Sequence, residues 1–147
     1  MEIHHLEENY YVGAQLKPEY MTALGASGIA RVICNRPDRE VPPTLQAAAI
    51  GAAVQAAGKE FFTLPITLNS LTADVAAQQA ELVAKANGAV LAYCTSGTRS
   101  AVIWALGQAK TRPADEILNV LATAGFDLET LRMVLTRLYN SSDTPHD

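Results

Sequence analysis

Val90-Leu91-Ala92-Tyr93-Cys94-Thr95-Ser96-Gly97-Thr98-Arg99-Ser100 decides the reading of this chain. Its first four residues are apolar and short enough for a buried strand. Thr95 to Arg99 is polar and turns on Gly97, and the run from Ser100 to Lys110 is apolar nearly all round, as a buried helix would be. Strand, tight loop and helix in that order point several backbone N–H groups into one concavity, which suits an anion. Gly97 allows the backbone to turn closely. Arg99 adds a planar fork able to clamp two oxygens. The same field favours a thiolate at Cys94, and Ser100 is placed to hydrogen-bond the sulfur. A lone cysteine after an apolar strand is more often a small buried hydrophobe. Here the anion cradle beside it argues for a nucleophile.

Working outward, strands alternate with helices. Tyr10 to Ala14, Ile29 to Cys34, Glu60 to Ile66 and Ala89 to Tyr93 read as strands. Helices are expected over Pro18 to Ala26, Pro43 to Ala57 and Thr72 to Ala86, the last capped by Thr72. Two amphipathic helices follow: one opened by Pro113 and closed by Gly125, the other capped by Asp127 with a stripe of Leu128, Leu131, Leu135 and Leu138. The expected fold is α/β, with a mainly parallel central sheet of about four to five strands and helices on both faces. Ligands bind such sheets at the carboxyl ends of the strands. Asn35-Arg36-Pro37-Asp38, Thr67-Leu68-Asn69-Ser70 and the Cys94 loop all leave strands there.

The 147 residues fit a single domain, with a core over about 10–139 and a polar tail, 140–147, expected to fray. Net charge is −4 and no basic run occurs, so no nucleic-acid or anionic-membrane partner is expected. A bound anion must therefore be gripped locally. No apolar run approaches a membrane span, the start lacks a signal-peptide pattern, and two distant cysteines make no disulfide scaffold. A cytoplasmic location is the expectation. His4, His5 and His146 have no metal-ligand spacing, so neither metal nor other cofactor is expected. Trp104 reads as core rather than substrate platform.

The loop is similar to two known signatures. Cys-x-x-Gly-x-x-Arg followed by Ser or Thr marks cysteine-dependent protein phosphatases, and Cys-Arg-x-Gly-x-Arg marks rhodanese sulfurtransferases. Gly97 keeps the shared spacing, Arg99 falls one residue earlier than the phosphatase pattern, and Thr95 stands where many rhodaneses have Arg. Beyond the loop, Tyr11-Val12-Gly13, Gly28-Ile29, Val32-Ile33-Cys34-Asn35 and Leu64-Pro65-Ile66 follow the order of a dual-specificity phosphatase. With Asn35-Arg36-Pro37-Asp38 and Ser96-Gly97-Thr98-Arg99-Ser100 the chain, over about Tyr10 to Leu138, resembles the phosphatase-like domain of bacterial β-lactamase hydrolase-like proteins.

That resemblance implies a phosphoester hydrolase acting on a small anionic substrate. Cys94 would be the nucleophile, and Thr95, Ser96, Gly97, Thr98 and Arg99 the anion loop. Sulfur transfer, with a persulfide on Cys94, is the alternative. A non-catalytic anion sensor is a third. The phosphatases it resembles take a leaving-group proton from an Asp after the Leu-Pro-Ile strand, but no acid lies between Thr63 and Ala73. Asp38 and Asp74 are the candidates, against plainer readings as a turn residue and a helix N-terminal charge. Arg36 either reaches substrate oxygens or pairs with Asp38 or Glu40. Cys34 is either a packing residue or a redox partner that forms a disulfide with Cys94.

Overall fold

A computed structural model describes residues 1–141. The expected fraying of the tail, from 142 onward, and His146 lie outside the described residues.

Five strands form one sheet: β1 (Ile3–Glu7), β2 (Tyr10–Gly13), β3 (Ile29–Cys34), β4 (Glu60–Thr63) and β5 (Ala89–Tyr93). Their spatial order is β1-β2-β5-β3-β4, with only the β1–β2 pair antiparallel. The helices are α1 (Met21–Gly25), α2 (Ala47–Ala56), α3 (Ala73–Ala84), α4 (Thr98–Gln108), α5 (Ala114–Thr123) and α6 (Arg132–Asn140). Alternation along β5 builds two cores. Val90 and Ala92 face α3, α4, α5 and α6, whereas Leu91 and Tyr93 join Leu24, Ile50 and Val54 of α1 and α2. Helices thus cover both faces, as the periodicity implied.

Several boundaries differ from expectation for local reasons. The amino-terminal segment is an edge strand, not a tail: Ile3 to Glu7 pairs with β2, and His4 Nδ1 lies 3.0 Å from the Ala124 carbonyl. β4 stops at Thr63, just before Leu64-Pro65, and Pro65 has no N–H with which to continue a ladder. The helix expected from Pro43 starts at Ala47, after a separate 3-10 turn over Pro43–Leu45. The 18–26 segment likewise divides into a 3-10 turn, Pro18–Tyr20, and the short α1. Asp127 does not cap the last helix, because a 3-10 turn over Glu129–Leu131 precedes α6. α4 begins at Thr98, two residues earlier than read, and buries every residue from Ser100 to Leu106, including Trp104.

Candidate active site

β5 lies in the middle of the sheet and delivers Cys94 at its carboxyl end. The Cys94 N–H donates to Gly13 O at 3.2 Å, and Gln15 N–H to Thr95 O at 3.3 Å, so β2 braces the loop. The turn into α4 needs a positive φ, and Gly97 supplies it at 94°. A Cβ there would also stand 3.4 Å from the Gly13 nitrogen and from Phe126 Cζ. With the chain so turned, the Gly97 N–H donates to Cys94 Sγ at 3.2 Å. The sulfur therefore sits at the amino end of a buried helix with an amide aimed at it. Ser96 and Thr98 join hydroxyls at 3.0 Å.

Arg99 occupies the first turn of α4 and is only partly exposed. Its Nη1 donates to the Ile66 carbonyl at 2.9 Å and its Nη2 to Thr95 Oγ1 at 2.8 Å. The remaining two-pronged face is taken by Glu40, whose Oε2 and Oε1 accept from Nη1 and Nη2 at 2.9 and 2.7 Å. Arg99 holds the Glu40 carboxyl below its ordinary range, and Glu40 in turn raises the Arg99 pKa. Arg36 approaches the same carboxylate at 3.2 Å and donates to Gln15 Oε1 at 3.2 Å. Glu40 thus bridges two guanidinium groups. Sequence reasoning considered it only as a partner of Arg36. The one available signal was its i,i+4 spacing from that arginine.

Behind the loop lies a buried polar network. The Ser100 hydroxyl donates to Asn35 Oδ1 at 2.8 Å, which corrects the expectation that it serves the sulfur. Asn35 is wholly buried and its amide oxygen needs donors, so it takes that proton. Asn35 Nδ2 donates to Leu64 O and to Gln79 Oε1, and Gln79 Nε2 donates to Asn35 Oδ1 and Tyr10 Oη. The Tyr10 hydroxyl donates to Ser100 O at 3.0 Å. Burial pushes the Tyr10 phenol strongly upward, so it remains a donor.

The other candidates lie apart from this arrangement. Asp38 Oδ1 accepts the Ala47 N–H at 2.8 Å, which holds the start of α2 and gives the carboxylate a structural task. Asp74 is exposed in the first turn of α3, where its charge complements the helix end. Glu40 is engaged by Arg99 and Arg36, which lower its pKa. Cys34 is paired in register with Tyr93, not with Cys94, and packs among Leu24, Ile50 and Tyr93. Strand alternation sends its side chain to the α1–α2 face, its Sγ donates to Arg36 O at 3.4 Å, and both cysteines are free thiols. This placement fits the packing role, one of the two readings of Cys34.

An α/β sheet that ends in a cysteine loop and an arginine-bearing helix defines a phosphatase-like domain. Residues 2–111 match the family described as "Beta-lactamase hydrolase-like protein, phosphatase-like domain", and the chain belongs to that family. The Agrobacterium fabrum beta-lactamase hydrolase-like protein is 33% identical over 127 residues, covering 84% of this chain and 29% of the relative. The corresponding Xylella fastidiosa (strain Temecula1) protein is 30% identical over 131 residues, 87% of this chain and 30% of the relative. The chain therefore spans under a third of these relatives' length. A crystal structure of a putative phosphatase from Neisseria meningitidis superposes with a TM-score of 0.85 and 33% identity, covering 94% of this chain and 99% of that one. PTPMT1 in complex with PI(5)P shares the fold, with a TM-score of 0.73 at 16% identity over 95% of this chain and 96% of that one. Among the described residues no helix is long and apolar enough to cross a membrane.

Proposed function

We propose that this domain is a cysteine-dependent phosphomonoester hydrolase. The observation that carries the reading is the Gly97 N–H donated to Cys94 Sγ at the amino end of a buried helix. The Cys94 thiolate attacks phosphorus and the P–O bond to the leaving group breaks, giving a cysteinyl phosphate. Water then attacks that intermediate, releasing inorganic phosphate and the thiolate. The loop amides of Thr95 to Arg99 and the Arg99 fork bind the equatorial oxygens, where charge is held through both steps. Substrate oxygens reach that fork by displacing Glu40. Arg36, tied to the same carboxylate, stands at the next position along the rim.

Family and structural likeness support phosphoryl transfer over sulfur transfer. The PI(5)P bound to PTPMT1 fits the same substrate chemistry, a phosphate monoester on a larger molecule. With Asp38 committed to α2, and Glu40 left beside Arg36 once substrate displaces it from Arg99, no carboxylic acid is ready to protonate a leaving oxygen. Aryl phosphates, whose leaving groups need little protonation, should therefore turn over far faster than alkyl phosphates. A positioned acid typically contributes ~10²–10⁴-fold, and that assistance is missing here. The deciding experiment is 4-nitrophenyl phosphate hydrolysis by the wild type and Cys94→Ser, beside thermal melts of both. Activity that falls to background in a variant that melts normally supports the reading. A wild type without hydrolysis, or an active serine variant, overturns it.

A further inference from the structure

Leu68 is 86% exposed, more than any other large apolar side chain among the described residues. Single exposed leucines are common on protein surfaces, so exposure by itself carries nothing. Three further observations separate this one.

Its backbone is fixed. Leu68 heads a 3-10 turn over Leu68–Ser70 closed by a capping box on Thr67. The Thr67 N–H donates to Ser70 Oγ at 2.8 Å, and the Asn69 N–H to Thr67 Oγ1 at 3.3 Å. A side chain on a braced turn loses little further backbone freedom when it meets a ligand.

The turn is tied to the anion site. Ile66, wholly buried, gives its carbonyl to Arg99 Nη1 at 2.9 Å. Leu68 follows two residues later, so its Cα lies within about 7 Å of the Ile66 Cα. Leu68 thus belongs to the short segment that Arg99 ties down.

The rim is divided by chemistry. Arg36 and Glu40 make one part charged and engaged in ion pairs. The segment leaving β4 makes the other part apolar, with Pro65 and Leu68 both exposed. Thr67-Leu68-Asn69-Ser70 carries no acid. What it offers is a hydrophobic contact.

We propose that Leu68 is a specificity residue, selecting phosphomonoesters with an apolar substituent that extends beyond the group bearing the phosphate. This deepens the phosphatase reading and rests on it. Covering part of a leucine on binding strengthens affinity by about three- to tenfold. Small hydrophilic phosphates gain nothing from the contact.

Calorimetric binding of phenylphosphonate and 4-butylphenylphosphonate tests this without needing turnover. The wild type should bind the butyl compound about three- to tenfold more tightly. Leu68→Ser should erase that ratio while leaving phenylphosphonate affinity within about twofold, and Leu68→Met should restore it. Equal affinities in the wild type, or a ratio that survives in Leu68→Ser, would overturn the proposal. Hydrolysis of phenyl phosphate by the same preparations judges the phosphatase reading separately. A protein that binds neither phosphonate refutes both.

Discussion

On the proposed mechanism, Glu40 and an incoming oxyanion compete for one face of the Arg99 guanidinium. Removing the carboxylate's charge should favour the oxyanion, because Ile66 O and Thr95 Oγ1 still hold the side chain in place. Glu40→Gln is therefore expected to strengthen competitive inhibition by inorganic phosphate several-fold, measured as Ki. The pair also has a pH signature. The folded-state pKa of Glu40 is depressed, so its stabilisation is present above the ordinary carboxylate range and fades as pH falls through the lowered value. Urea titrations between neutral and acid pH should show the wild type losing more stability than Glu40→Gln. The cysteines divide similarly. Burial raises the Cys34 pKa and keeps that thiol protonated, so iodoacetamide at neutral pH should label Cys94 and spare Cys34, as read by peptide mass mapping. Glu40 was hard to foresee because its two-pronged partner, Arg99, lies 59 positions away, and ion pairing across loops leaves no periodic trace in a sequence. Cys94, Gly97 and Arg99 were legible because one short segment carries all three.

Among the elements, the β5–loop–α4 unit has its conformation written into it. Gly97→Ala would force a Cβ into a left-handed backbone conformation, costing about 1–2 kcal/mol. It would also disturb the amide that meets the sulfur. Thermal melts should show that loss, and turnover should fall further than the loss of folded protein explains. The long apolar or amphipathic elements were legible for the same reason: β3, β5, α3, α4 and α5 each repeat a pattern over several residues. β1 was not. Ile3-His4-His5-Leu6-Glu7 has too few apolar side chains to signal a strand. Its pairing comes from β2, and the His5 ring stacks on Tyr11 with centroids 4.4 Å apart. Capping was equally uneven. Thr72 accepts from the Val75 N–H as its residue type suggests, whereas the acceptor at the start of α2 is Asp38, nine positions away from Ala47.

For the molecule as a whole, stability rests on two cores that meet only through the sheet. Leu91 is fully buried on the α1–α2 side of the central strand, so Leu91→Ala should cost about 2–5 kcal/mol in urea unfolding. Position in the strand order also matters for how the chain is made. β2 and β3 are not neighbours, and each pairs with β5, which is synthesised after both. Until residues 89–93 emerge from the ribosome, β2 and β3 lack the strand that each pairs with in the finished sheet. Their unpaired edges are open to chaperones or to aggregation for that interval. When the central strand enters, it joins the two halves and carries Cys94 to its end in the same event. Cys94, the proposed nucleophile, thus emerges after every strand of the sheet, and a chain that stops short of β5 lacks it.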